Sequence, residues 1–369
     1  MLIKIAEPII DKEEIIAVNK VLESGLLAQG PKVEELEKNF AEYCGTKYAI
    51  AVNSGTAAIH SALFATGIQP GDEVITTPFS FIATVNPILI LGARPVFVDV
   101  NPTSFNIDED SIEAAITSNT KALLPVHLYG QPYNHSKMNK IASKYKLRVI
   151  EDACQSIGAE FNGAKTGSLG DLGCFSLYAT KNIMCGEGGI VTTNNPAYAD
   201  TIRRFRQHGM NSQYSYEHYG YNYRLTDLQA AIAVEQLKKA DNFNKLRTRN
   251  ATLYNNYLGN VRGIILPKII SGRSHVFHQY TIRITDEFPV SRDELAAILR
   301  EKDVITGIYY PRGLHESPHL KKLGYRPGDF PNSEMLSRQV LSLPVHPRVS
   351  EGDVKHVSGM IKDISGKKK

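Results

Sequence analysis

Apolar positions along the chain alternate between two periods, and the alternation predicts most of the elements. Asp11 followed by Glu14 has the form of a capping box, and Ile15, Val18 and Leu22 recur at helical spacing until Ser24-Gly25 ends the run. A second amphipathic helix is expected from about Val33 to Tyr43, stopping at Gly45. Short apolar runs then alternate with helical stretches, the pattern of a doubly wound sheet. Strands are expected at Tyr48–Val52, Glu73–Thr77, Pro95–Val100, Ala122–Leu128, Arg148–Glu151, Gly173–Leu177 and Gly189–Thr193. Helices are expected over Thr56–Ala65, near Ile82–Leu91, over His135–Tyr145 and over about Ala197–His208. From Leu225 a long helix carries Leu228, Ala231, Ile232, Val234 and Leu237 on one stripe toward Tyr257. Beyond Gly263 the pattern changes to a strand Tyr280–Ile284, a helix Arg292–Glu301, a strand near Ile305–Tyr309 and a terminal helix. The pattern predicts an α/β large domain with a mainly parallel central sheet, residues 1–250. A smaller α+β domain is expected over residues 251–369.

Composition narrows the class only a little. The 369 residues are 42% hydrophobic and 22% charged, with a net charge of +4, which is ordinary globular composition. So slight an excess of positive charge gives no sign of nucleic-acid binding, and the one basic run, Lys367-Lys368-Lys369, reads as a solvated tail. No stretch approaches the roughly 18 apolar residues of a membrane span, and MLIKIAEPIIDKEE lacks the apolar core of a signal peptide. Four cysteines (Cys44, Cys154, Cys174, Cys185) have neither a metal-ligand spacing nor a disulfide framework, which suits reduced thiols in a cytoplasmic protein and predicts no metal site.

Three features carry candidate chemistry. Asn53-Ser54-Gly55-Thr56 turns a strand into a helix, whose first amides have no internal partners and lie at the positive end of its dipole. Gly55 permits close approach and Thr56 adds a hydroxyl, so the turn suits a phosphate; the bland reading is an ordinary N-cap. Asp152 ends a hydrophobic strand, either as a cap for the next helix or as the charge partner of a buried cation such as a protonated pyridine. Gln155, one turn on, is placed to donate to a neighbouring ring oxygen. Lys181 comes after a buried strand and precedes Gly186-Glu187-Gly188-Gly189. Most single lysines are surface residues, but a desolvated one has a lowered pKa and serves as nucleophile or base. In open α/β sheets ligands gather at the carboxyl ends of strands, where all three features fall. Together they match the phosphate, ring nitrogen and aldehyde of pyridoxal 5′-phosphate (PLP).

The segments NSGTAAIH (53–60), EDACQSIGA (151–159), FSLYATKNIMCGEGG (175–189) and GYNYRLTDLQAAI (220–232) resemble the DegT/StrS-type nucleotide-sugar aminotransferases, in that family's order, and the resemblance runs from about residue 5 to 350. It implies the aspartate aminotransferase fold, fold type I, with a three-layer PLP-binding large domain, and a homodimer with shared active sites. It implies PLP as a Schiff base on Lys181, with pyridoxamine phosphate as an intermediate, and Lys181 and Asp152 as the catalytic pair. By the same resemblance Phe81 stacks on the ring and Gln155 lies near its phenolic oxygen. Gly55, Thr56 and Ser176 contact the phosphate, with Asn222 reaching in from the second subunit. L-Glutamate is the implied amino donor and a nucleotide-linked keto sugar the acceptor, in amino-sugar and polysaccharide biosynthesis. Members with histidine at the lysine position act as sugar dehydratases, so Lys181 favours transamination.

Two positions depart from the family's pattern. Ala28 stands where relatives often have threonine, which removes a hydroxyl, and Cys154 stands where alanine is usual and reads as a small buried packing residue. Thr226, where 3-position enzymes tend to have an acidic residue, leans toward amination at the 4-position of a 4-keto-6-deoxy sugar. Arg224 suits a substrate diphosphate. Tyr309, Tyr310 and His315 are candidate nucleotide-sugar contacts or else small-domain packing. Amination at the 3-position, a cyclitol ketone as acceptor, and a regulatory homologue without catalysis are the alternatives.

Overall fold

A computed structural model describes residues 2–366; the Lys367-Lys368-Lys369 run lies outside the described residues. Its centre is a seven-stranded sheet of β1 (Tyr48–Val52), β2 (Glu73–Thr76), β3 (Arg94–Phe97), β4 (Thr120–Leu123), β5 (Arg148–Asp152), β6 (Leu172–Ser176) and β7 (Gly189–Thr193). The order is β1-β7-β6-β5-β4-β2-β3. Strands β6, β5, β4, β2 and β3 pair in parallel, while β7 runs antiparallel to both of its neighbours. Six strands therefore end at one edge, and β7 begins there.

The side-chain alternation of the strands divides the interior into two faces. Ala49 and Ala51 of β1 and Phe175 of β6 face a cluster with Val33, Leu36 and Phe40 of α1 (Pro31–Cys44) and with Val234 and Leu237 of a long helix. Ile50 and Val52 face the other way, onto Ile59 and Leu63 of α2 (Gly55–Ala65) and Ile202 of α3 (Pro196–Phe205). The result is three layers, helices on both faces of a mixed, mostly parallel sheet. Each fully buried aliphatic side chain adds roughly 1.5–3 kcal/mol to that arrangement.

The long helix, α4 (Asp227–Leu258), has 32 residues and spans about 48 Å at 1.5 Å per residue. Thr226 caps it, and the buried Asp227 carboxylate accepts hydrogen bonds from the backbone amides of Gly30, Lys32 and Val33, fastening α1 to α4. Its last turns supply Ala251, Tyr254 and Leu258 to a separate core, with Tyr280–Ile284, Val340–Leu343 and the helix Glu351–Ser365. Those two strands and Ile264–Ile265 form a small antiparallel sheet, and Ile3 joins the same core by pairing with Val304.

The helices expected over His135–Tyr145 and Arg292–Glu301 have those bounds. Ile82–Leu91 instead divides into a 3-10 turn, Ile82–Thr84, and a short helix, Asn86–Ile90, because Pro87 is tolerated only in a first turn. The strand expected at Ile305–Tyr309 is absent. Only Gly307 pairs, with Ser342, before Tyr309 and Tyr310 turn inward ahead of Pro311. The central strand of the small sheet is Tyr280–Ile284; its neighbour Val340–Leu343 follows a helix at Pro331–Gln339, and the sequence pattern predicts neither that neighbour nor that helix. Among the described residues no helix is long and apolar enough to cross a membrane.

Candidate active site

The edge where the strands end holds a cavity of about 630 Å³, a size typical of cofactor and ligand sites. Its floor begins at β1, where Ser54 caps α2 by accepting from the Ala57 amide at 3.1 Å. The amides of Gly55 and Thr56, in the first helical turn, have no helical acceptor. The exposed Thr56 hydroxyl stands beside them. Ser176, at the end of β6, closes the cradle: a Cβ on Gly55 would meet the Ser176 Cβ at 2.8 Å and Cys154 Sγ at 3.1 Å. Gly189 is needed equally, since a Cβ there would meet the Ser54 carbonyl oxygen at 2.2 Å. Only without that atom can β7 start against the Ser54 turn.

Asp152 ends β5 almost wholly buried. Its Oδ2 accepts from the Thr84 hydroxyl at 2.7 Å and its Oδ1 from the Cys154 amide at 3.2 Å. Gln155 is clamped, with its Oε1 accepting from the Tyr129 amide at 2.8 Å and its Nε2 donating to the Tyr310 hydroxyl at 3.2 Å. The Phe81 ring, 57% exposed, forms an apolar wall, 6.4 Å from the Tyr310 ring and tilted 30° from it.

Lys181 lies on the loop from β6 to β7 and lines the same cavity. Burial holds its pKa below the ordinary lysine value, against an opposing pull from Cys154 and Asp152. A lysine amine whose charge burial disfavours therefore shares one cavity with a carboxylate and a helix N-terminus.

Gly55, Thr56, Phe81, Asp152, Gln155, Ser176, Lys181, Tyr309 and Tyr310 all line this cavity. Three expected residues do not. His315 is fully buried, its Nε2 3.2 Å from Glu334 Oε1 and its ring packed on Phe330, so its environment is small-domain packing. Asn222 and Arg224 lie outside the lining of their own chain; the Asn222 carbonyl accepts from Asn53 Nδ2 at 3.2 Å. Cys154, expected as a buried packing residue, is only half-buried and lines the cavity, with burial raising its thiol pKa.

Sequence reasoning missed His278, Gln279, Tyr178, Thr180 and Glu187, which also line the cavity. His278 Nδ1 is 3.2 Å from Asn182 Oδ1, and Asn182 Nδ2 donates to Asn244 Oδ1, so the residue beside Lys181 is tied to α4. Burial, then Lys181 and Arg247, holds the His278 pKa well below its ordinary value. The one sequence signal is the pair His275 and His278 just before a strand.

The donor set fits PLP. Unpaired helix amides and two hydroxyls suit the phosphate, Asp152 the ring nitrogen and Lys181 the aldehyde, around a glycine whose missing Cβ leaves the space. A family model described as the DegT/DnrJ/EryC1/StrS aminotransferase family matches residues 8–362. The pleiotropic regulatory protein of Geobacillus stearothermophilus is 42% identical over 350 residues, 94% of this chain and 93% of that one. GDP-perosamine synthase of Caulobacter vibrioides is 36% identical over 370 residues, 98% of each chain. Among solved structures, DesV of S. venezuelae in complex with a ketimine intermediate matches at a TM-score of 0.93 and 36% identity, over 97% of this chain and 95% of that one.

Proposed function

The chain belongs to the DegT/DnrJ/EryC1/StrS aminotransferase family, and on that premise we propose that it moves an amino group from L-glutamate to a nucleotide-linked keto sugar, at the 4-position of a 4-keto-6-deoxy sugar. It is a PLP-dependent sugar aminotransferase. One observation carries the reading: Lys181, its charge disfavoured by burial, shares one cavity with Asp152 and the α2 N-terminus.

PLP, when bound, supplies an electron sink for the carbon that bears the transferred nitrogen. Gly55, Thr56 and Ser176 would hold its phosphate. Asp152 keeps a proton at the ring nitrogen, where a buried carboxylate strongly favours positive charge. Phe81 and Gln155 would contact the ring from the cavity wall. Lys181 Nζ moves a proton between two carbons on one face, a task that needs an amine uncharged near neutral pH.

The substrate half rests on Arg224, Tyr309 and Tyr310, with Asn222 of the partner subunit completing the cofactor site. His315 drops out of that set, since it is enclosed by packing. A homodimer is supported by exposed Ile15, Ile16, Leu22, Leu26 and Leu27, an apolar face that water disfavours. Thr226 supports the 4-position, although its hydroxyl also caps α4. Four unpaired cysteines support a cytoplasmic location. The division at residues 1–250 and 251–369 is supported by a distinct core spanning Ala251 to Ile364, which Ile3 also enters.

The test is a panel of UDP-, dTDP- and GDP-linked keto sugars with glutamate, following 2-oxoglutarate release and locating the new amine by NMR. Turnover with a 4-keto-6-deoxy sugar is expected. An amine at the 3-position, or turnover only on a cyclitol ketone, would replace this substrate with one of those alternatives.

A further inference from the structure

Asp152 is held by more than its strand. Its backbone amide donates to the Pro125 carbonyl, and its carbonyl accepts from the His127 amide. Main-chain bonds of that kind fix the Cα but leave the carboxylate free to rotate. The side-chain group that fixes it is the Thr84 hydroxyl, 2.7 Å from Oδ2. A carboxylate accepts only, so the single Thr84 proton points at Asp152. The Ser80 hydroxyl, 2.8 Å from Thr84 Oγ1, must then be the donor in that pair. Ser80, Thr84 and Asp152 are all buried, so each bond in this chain lies where water does not compete. The turn that carries Ser80 and Thr84 also carries Phe81, the apolar wall of the cavity.

We propose that Thr84 is a positioning residue of the transamination: its hydroxyl, oriented by Ser80, fixes the rotamer of Asp152 and sets how strongly that carboxylate competes for the proton at the cofactor's ring nitrogen. The inference rests on the PLP reading of the site. A hydrogen bond donated to a carboxylate favours its ionised form. The bond from Thr84 thereby favours a carboxylate that leaves the proton on the ring nitrogen. Without it the carboxylate keeps the Cys154 amide on Oδ1 but loses its donor on Oδ2 and competes more strongly for that proton, which weakens the electron sink that Lys181 works against.

Thr84→Val removes the hydroxyl at nearly constant volume. A charge-assisted hydrogen bond of this kind corresponds to a fall in kcat of at least about tenfold, with KM for glutamate changed far less. Independently of turnover, the pH midpoint at which the bound cofactor's visible absorption band shifts is expected to move away from the wild-type midpoint. Thr84→Ser restores both, and Ser80→Ala moves both in the same direction by less. An unchanged kcat and midpoint in Thr84→Val overturns the inference alone. So does a loss of activity that merely tracks loss of bound cofactor and that Thr84→Ser does not rescue. A wild-type chain with no cofactor band overturns the PLP reading and this inference with it.

Discussion

Gly55 and Ser176 stand so close that a Cβ on the glycine would lie 2.8 Å from the Cβ of the serine. The end of β6 and the first turn of α2 are thereby pressed together where the phosphate is proposed to bind. Gly55→Ala forces one of them aside, with no torsional penalty to confuse the result, since Gly55 is not among the glycines at positive φ. The expected outcome is a loss of PLP affinity of about tenfold or more, equivalent to about 1.4 kcal/mol, read by spectroscopic titration of the cofactor-free protein. An unchanged affinity would place the phosphate elsewhere.

His60 gives the structure an acid-side weakness. Its ring is buried, with Nδ1 3.0 Å from the Tyr223 hydroxyl and Nε2 without a partner among the described residues, and burial lowers its pKa to about 4. The folded protein therefore holds it neutral while the unfolded chain protonates it near 6.5. Between those values the unfolded state binds more protons, so stability is lost as pH falls from about 6.5 through about 4, by up to roughly 3 kcal/mol. His60→Phe, set among Phe205, Tyr221 and Tyr223, is expected to flatten that slope in urea unfolding curves measured across this range. An identical slope in the variant assigns the acid sensitivity to other groups.

Much of the site is legible in the sequence because its residues sit at strand ends, which short apolar runs mark clearly. Ser54-Gly55-Thr56 comes directly after β1, Asp152 ends β5, and Lys181 lies in the loop after β6. His278 and Gln279 escape a sequence reading because nothing local distinguishes them from the start of a strand, and tertiary folding alone brings them to Lys181. Thr84 falls in a stretch that reads as helical, whereas the 3-10 turn is what aims its hydroxyl at Asp152. His315 fails for the opposite reason. Its near neighbours Tyr309 and Tyr310 line the cavity, but packing against Phe330 and Glu334 takes the imidazole away. In the fold, the run Val340–Leu343 is not legible because a short apolar stretch after a helix carries no period of its own.

The proposed homodimer, with Asn222 offered to the partner's site, predicts complementation between two inactive variants. Lys181→Ala lacks the amine of its own chain, and Asn222→Ala lacks the group offered to the partner's cavity. Mixed dimers contain one site with both native residues, so co-expressed chains are expected to regain turnover that neither variant has alone. No recovery, with the mixed dimer demonstrated by differential tags, would place Asn222 in its own chain's site or outside catalysis.

The central claim is that Lys181 carries the cofactor and moves the proton. Borohydride treatment of the yellow protein, then peptide mass spectrometry, tests it most directly. The cofactor mass is expected on the peptide containing Lys181 and nowhere else, and Lys181→Ala is expected to take up no label and release no 2-oxoglutarate from glutamate. Label on another lysine, or full transamination by Lys181→Ala, would contradict the account.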